Sequence, residues 1–113
     1  MSGYRLFSTS ILPILNEVRL YDETIEHVWR EHPEIPSEFL GIVDAVGTAV
    51  SNPTHVEQSH GNSVIFVDTM TTNRSGDPLR VPVKRVSGKS GRVRTFYFAS
   101  PNTAGKIIWR RPI

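Results

Sequence analysis

The sequence predicts an α+β fold in which two N-terminal helices pack on one face of a four- to five-stranded antiparallel sheet. Apolar residues recur every three or four positions between residues 22 and 53, as on a helix face, and in alternation after residue 53, as in strands. Short turn-forming segments separate the alternating runs, which favours hairpins between neighbouring strands. At 113 residues with 38% hydrophobic content, the chain is long enough for one domain with its own core.

The first half of the chain predicts an arm and two helices. Residues 1–17 are expected to be an N-terminal arm, irregular over 1–16, ahead of a single domain over residues 18–113. A short extended piece over 18–20 leads to Asp22, which is typical of a helix N-cap. Pro33 cannot continue a helix and therefore ends the first one near His32. A second helix is predicted from Pro36 to Asn52, weakened by two glycines that each cost about 1 kcal/mol relative to Ala.

Five strands are predicted after the helices, near residues 54–59, 63–70, 79–86, 92–99 and 105–110. Pro82 has no backbone N–H, so the 79–86 strand is expected at an edge of the sheet or beside a bulge. The 92–99 strand carries apolar residues on both faces, which predicts a central position.

Charge is divided between the two halves of the sequence. Residues 1–53 hold three Lys/Arg and eight Asp/Glu, whereas residues 54–113 hold ten Lys/Arg and three Asp/Glu. The basic half is also the half predicted to form strands, and a sheet with many cations favours a polyanion as partner. The alternative is a basic sheet whose Lys and Arg only prevent edge-to-edge aggregation.

Several classes of protein are excluded by composition. The chain has no cysteine, which rules out disulfides, a thiolate nucleophile and Cys-ligated metal centres. The apolar stretch near Pro13 is too short to span a bilayer, and the first residues lack the pattern of a secretory signal. We therefore expect no membrane partner and a cytoplasmic site of action.

The octet His27-Val28-Trp29-Arg30-Glu31-His32-Pro33-Glu34 is the most distinctive motif. Its two histidines are five positions apart, a poor match to the spacing of a helical zinc pair. From spacing alone, each of them is better explained by packing or capping at the helix end. His55 and His60 lie near a strand and a turn and do not complete a metal site.

This octet, together with the later Val50-Ser51-Asn52-Pro53 and Arg94-Thr95-Phe96-Tyr97, resembles the phage-associated branch of the barnase, EndoU, colicin and RelE-like nuclease superfamily. The resemblance covers roughly residues 18–100. One departure is that the motif arginine, usually next to the His-Pro pair, stands at Arg30 with Glu31 beside His32. The resemblance implies a metal-independent endoribonuclease without a cofactor, often a toxin, acting on tRNA or other structured RNA.

The resemblance also assigns roles to residues. RNA cleavage by the 2′-hydroxyl needs a base, an acid and cations for the phosphate. His27 aligns with the first motif histidine and is the first choice for proton transfer, with His32 as the alternate. Arg94 and Arg85 are predicted to bind the phosphate and Thr95 to donate a hydrogen bond to it. Cations expected along the flanking RNA backbone are Arg80, Lys84, Arg110 and Arg111.

Two other functions stay open. A non-catalytic nucleic-acid binder would need the basic strands alone. An interaction module would instead dock its basic face on an acidic protein, such as an immunity protein or antitoxin. The ribonuclease hypothesis requires the His27 imidazole to face the arginine-rich strands.

Overall fold

The structure of the protein, a computed structural model, describes residues 3–13, 15–35, 41–100 and 105–112. The described residues form eight strands and two helices. In chain order they are β1 (Tyr4–Leu12), β2 (Leu15–Tyr21), α1 (Asp22–Glu31), α2 (Ile42–Ser51), β3 (His55–Gln58), β4 (Ser63–Thr72), β5 (Pro78–Ser87), β6 (Ser90–Val93), β7 (Tyr97–Phe98) and β8 (Ile107–Arg110).

All eight strands belong to one mixed sheet, so the predicted four- to five-stranded antiparallel sheet was wrong. The strand order is β1-β2-β6-β5-β4-β3-β8, with β7 also paired to β5. Neighbours are antiparallel except β2 and β6, which are parallel. Four of the five predicted strands are present, and the predicted 92–99 strand is divided into β6 and β7. The N-terminal hairpin adds two more strands ahead of the helices.

The N-terminal segment is a strand pair and not the irregular arm that the sequence predicts. In β1 and β2, Tyr4 pairs with Tyr21 and Phe7 pairs with Val18. β1 lies at the edge of the sheet and is mostly exposed, so apolar alternation along it is weak. The predicted extended piece over residues 18–20 is confirmed as part of β2.

The first helix ends where its sequence predicts. The His32 N–H donates to Val28 O at 2.7 Å, and Pro33 follows. At the other end, Tyr21 occupies the N-cap position and Asp22 is the first helical residue, so the helix begins one position earlier than predicted. The second helix ends at Ser51 with Asn52 as its C-cap, within one residue of the predicted end, while its predicted start at Pro36 lies outside the described residues.

Pro82 lies in the interior strand β5, so the predicted edge position was wrong. The alternative, a bulge, is found near the ends of β5, where the register shifts beside Pro78 and between Arg85 and Ser87, and not at Pro82 itself. Pro82 O accepts from the Arg94 N–H at 2.9 Å, so the side of Pro82 that lacks a donor faces the gap between β6 and β7. In an antiparallel strand the N–H and C=O of one residue point the same way. The predicted 92–99 strand is interrupted between β6 and β7, opposite Pro82. The proline therefore does not leave a paired strand without a hydrogen-bond donor.

The helices cover one face of the sheet. The core contains alternate strand residues such as Val18, Phe66 and Val81, which pack with Val28 of α1 and Val46 of α2. The intervening residues form the opposite face, called the polar face below. Neither helix of the described chain is long and apolar enough to cross a membrane.

Candidate nucleic-acid interface and catalytic cleft

Strand register places a row of cations on the polar face. Arg19 of β2 pairs with Arg92 of β6, and Arg92 pairs with Lys84 of β5. Directly paired residues project from the same face of a sheet. The three side chains therefore lie side by side on the face opposite the helices.

This row leads into a cleft of about 480 Å³, called the basic cleft. Three of the predicted phosphate-binding residues, Lys84, Arg85 and Arg94, line it, so the structure brings them together. Arg85 is held by its Nε, which donates to Gly88 O at 3.1 Å in the β5–β6 turn. The full lining is Asn62, Lys84, Arg85, Val86, Arg92 and Arg94.

His27 does not belong to this cleft. It is exposed on α1, whose buried residues Thr24 and Val28 face the sheet from the helix side. The basic cleft opens on the other side of the same sheet. This corrects the expectation that the His27 imidazole faces the arginine-rich strands, and it removes His27 as a base for a phosphate bound there.

His32 lines a second cleft of about 510 Å³, called the histidine cleft. The cleft lies where the end of α1 meets the β4–β5 turn and β7. It combines an imidazole, a guanidinium, a phenol and a hydroxyl in one depression. The lining residues are His32, Glu34, Ile35, Thr72, Asn73, Arg74, Tyr97 and Phe98.

The ring of His32 is oriented by a neighbouring carboxylate. Its Nδ1 lies 3.3 Å from Glu34 Oε1, and its side chain is 45% exposed. An ionised carboxylate only accepts hydrogen bonds, so this contact favours the tautomer with its proton on Nδ1. In the neutral ring, Nε2 then carries the lone pair that a general base needs.

Arg74 reaches this cleft on a turn built by Asn73. The Asn73 Oδ1 accepts from the N–H groups of Ser75 at 3.0 Å and Asp77 at 2.9 Å, and Gly76 supplies a φ of 83°. Tyr97 comes from β7, where it pairs with Arg80 of β5. Sequence reasoning assigned no role to Arg74 or Tyr97, because only the fold brings the turn and β7 beside the helix end.

Arg80 has a structural role in place of the predicted phosphate contact. Its side chain is 3% exposed and forms an ion pair with Glu57, which is fully buried. Nη1 donates to Glu57 Oε2 at 3.2 Å, and Nη2 donates to Oε1. Because its head group is enclosed, Arg80 cannot contact an RNA strand in this conformation.

The other predicted residues are dispersed. Thr95 is half-buried in the interruption between β6 and β7 and lines neither cleft. Arg110 is exposed on β8, beside His55 of β3. Arg111 donates from Nη2 to Asn52 O at 2.7 Å and from Nε to Pro53 O at 3.1 Å, which stabilises the chain after α2. Neither C-terminal arginine lines the two clefts.

Glu57 is the most perturbed carboxylate of the described residues. Burial raises its pKa, but hydrogen bonds from Arg80, His55 and the Gly105 N–H lower it by more, so the pKa lies below its ordinary value. His55 Nε2 is 2.9 Å from Glu57 Oε2, and the Gly105 N–H donates to Oε1 at 3.1 Å. The described residues contain no group of three or more His, Cys, Asp or Glu arranged to hold a metal ion.

The charge division of the sequence becomes a difference between the two sides of the molecule. The exposed carboxylates Glu26, Glu31 and Asp44 lie on the helices, behind the sheet. Two others approach the cations, since Glu17 Oε1 is 4.0 Å from Arg19 and Glu23 lines a small groove with Arg92. The basic cleft itself contains no carboxylate among its lining residues.

Comparison of the chain with protein-family models, curated proteins and solved structures finds no match. The resemblance to the barnase, EndoU, colicin and RelE-like nucleases therefore stays a prediction.

Proposed function

We propose that the protein is an endoribonuclease that cleaves RNA in the histidine cleft, at the end of α1, without a metal ion. The observation that carries the proposal is the meeting of His32, Arg74 and Tyr97 in one depression. It transfers the proton role from His27 to His32, the second histidine of the same motif. We propose further that the protein acts as a toxin and that its substrate is tRNA or another structured RNA.

The proposed reaction is transesterification within the RNA. Nε2 of His32 removes the 2′-hydroxyl proton, the 2′-oxygen attacks phosphorus, and the bond to the 5′-oxygen breaks after that oxygen receives a proton. Tyr97 is the candidate proton donor, and its phenol also suits hydrogen bonding to the leaving oxygen. Arg74 would stabilise the phosphate charge, because a guanidinium matches two oxygens at once. The products are a 2′,3′-cyclic phosphate and a free 5′-hydroxyl.

The decisive experiment is incubation of the purified protein with tRNA and total RNA in EDTA. We expect cleavage by the parent protein and a rate lower by about 10²- to 10⁴-fold in His32→Ala, the usual contribution of a general base. His27→Ala is the matched control, since it removes an exposed imidazole five residues away on the same motif. Both variants should unfold at the parent's urea midpoint. Intact RNA with the parent protein, or equal rates in His32→Ala and the parent, would overturn the proposal.

The second candidate is a non-catalytic module that uses the basic cleft. It is favoured by one observation, that the described residues lining this cleft include four cations and no histidine. Salt-sensitive RNA binding without cleavage would support a nucleic-acid binder. Failure to bind RNA, together with binding to an acidic protein, would support docking on an immunity protein or antitoxin.

A further inference from the structure

Two tyrosines, one exposed and one partly exposed, lie beside the cation row on the polar face. Tyr4 and Tyr21 are register partners in β1 and β2, and their ring centroids are 5.4 Å apart at an interplanar angle of 60°. Tyr4 is 46% exposed, and Tyr21 is partly exposed. Neither ring belongs to the hydrophobic core.

Each ring is paired with an arginine. The Arg19 guanidinium carbon lies 4.9 Å from the Tyr4 centroid, and that of Arg92 lies 5.7 Å from the Tyr21 centroid. Cation–π contacts of this kind hold both partners in place at a surface. We call these four residues the tyrosine shelf.

The shelf is continuous with the basic cleft, because Arg92 belongs to both. A groove of about 170 Å³ also runs from Arg19 and Tyr21 past Ser87 and Ser90 to Arg92. A chain lying along this path would pass from aromatic rings to a cluster of cations. Glu17 lies beside this path, since it accepts from Ser90 Oγ at 2.8 Å and is 4.0 Å from Arg19.

We propose that the tyrosine shelf binds the unpaired bases of an RNA strand whose phosphates occupy the basic cleft. The inference rests on the proposed function for its ligand and deepens it by naming single-stranded RNA. Aromatic platforms next to a cationic groove are the means by which proteins hold single strands, since every base offers a face for stacking. In a duplex the base faces are covered by their neighbours, so the shelf has nothing to stack on there.

Charge complementarity favours this occupant over a protein. Five cations belong to the shelf and cleft, and among the described residues the carboxylates found beside them are Glu17, near Arg19, and Glu23, which lines a groove with Arg92. The five cations are Arg19, Lys84, Arg85, Arg92 and Arg94. A strand with one negative charge per nucleotide fits such a surface. The phosphates of such a strand would contact the cations, and its bases would contact the tyrosine rings, which offer a large apolar area.

The test is fluorescence anisotropy with a 2′-O-methyl RNA strand, which binds as RNA does but has no attacking hydroxyl. We expect Tyr4→Ala and Tyr21→Ala each to weaken binding roughly 5- to 150-fold, the range that loss of one stacked base gives. Tyr4→Phe, which keeps the ring, should stay within about twofold of the parent protein. Met70→Ala, which removes an exposed side chain on β4, is the control for a surface change elsewhere.

Two further ligands separate stacking from charge. A duplex of the same sequence and a strand of abasic sites should bind the parent and Tyr4→Ala equally, because neither offers an exposed base. Equal losses on all three ligands, no loss on the single strand, or binding to polyglutamate but not to RNA would overturn the proposal. The 2′-O-methyl strand is not cleaved, so shelf-dependent binding without RNase activity would leave this proposal standing while the proposed function fails.

Discussion

Arg80 and Glu57 form a buried ion pair that spans three strands of the polar face. Arg80 is on β5 and Glu57 on β3, and β4 lies between them. The carboxylate also accepts from His55 and from the Gly105 N–H. These bonds satisfy Glu57, which would otherwise be a buried charge without compensation.

Replacement of Arg80 by Met should destabilise the protein by about 3–5 kcal/mol, because it leaves a buried carboxylate unpaired. The measurement is the free energy of unfolding from urea titration. Arg94→Met is the matched control, since Arg94 is exposed and its loss should change stability by less than about 0.5 kcal/mol.

The double variant Glu57→Leu, Arg80→Met should recover much of that loss, because apolar replacement of a buried pair is often neutral or stabilising. Equal stability of Arg80→Met and the parent protein would show that the pair is solvated and not enclosed.

The same carboxylate should make stability depend on acid pH. A carboxylate whose pKa is lower in the folded state stabilises the fold above its unfolded pKa, and this contribution is lost as pH falls through the folded value. For Glu57 the loss begins below its ordinary pKa of 4.5. Urea titrations between pH 7 and pH 3 measure it. Glu57→Gln should show a shallower fall than the parent; parallel curves for the two proteins would contradict the assignment.

Local pattern predicted most elements of the C-terminal half. Alternation after residue 53 identified the positions of β3, β4, β5 and β8, and Pro33 identified the end of α1. Sheet size was missed because β1 is an exposed edge strand, in which burial imposes no clear alternation. The parallel pairing of β2 with β6 joins segments about seventy residues apart, and no short pattern encodes it.

The candidate site also contains residues whose role the sequence predicts and residues whose role only the fold determines. Lys84, Arg85 and Arg94 were predicted from charge and strand position, and they share one cleft. Arg80 has the same residue type in the same strand as Arg85, yet its side chain points to a buried glutamate. The presence of Glu57 beside Arg80 decides between phosphate binding and a structural ion pair. That neighbour is known only once the register of the strands is known.

Loss of a basic-cleft cation should reduce the salt dependence of RNA binding. Each phosphate neutralised on a single strand contributes a slope of about −0.7 in log K against log salt. Arg92→Ala should lower the magnitude of the slope by about this amount. Arg5→Ala is the control, because Arg5 pairs with Leu20 of the core and so projects from the helix side of the sheet. Equal slopes for Arg92→Ala and Arg5→Ala would place the phosphates elsewhere.

Gly47 should resist replacement by alanine although it lies inside a helix. Alanine favours helix over glycine by about 1 kcal/mol. A Cβ at Gly47, however, would lie 2.7 Å from Cε1 and 2.9 Å from Cδ1 of Phe7, whose ring packs from β1 against this helix. Overpacking of this kind costs about 1–3 kcal/mol. We therefore expect Gly47→Ala to lower the free energy of unfolding, despite the gain in helix propensity.

A double-mutant cycle with Phe7→Leu separates the two effects. The smaller side chain should relieve the clash, so Gly47→Ala should cost less in the Phe7→Leu background than in the parent, with a coupling of about 0.5–3 kcal/mol. Urea titration of the four proteins measures it. A stabilising Gly47→Ala with no coupling to Phe7 would mean that the Phe7 ring of β1 does not pack on α2.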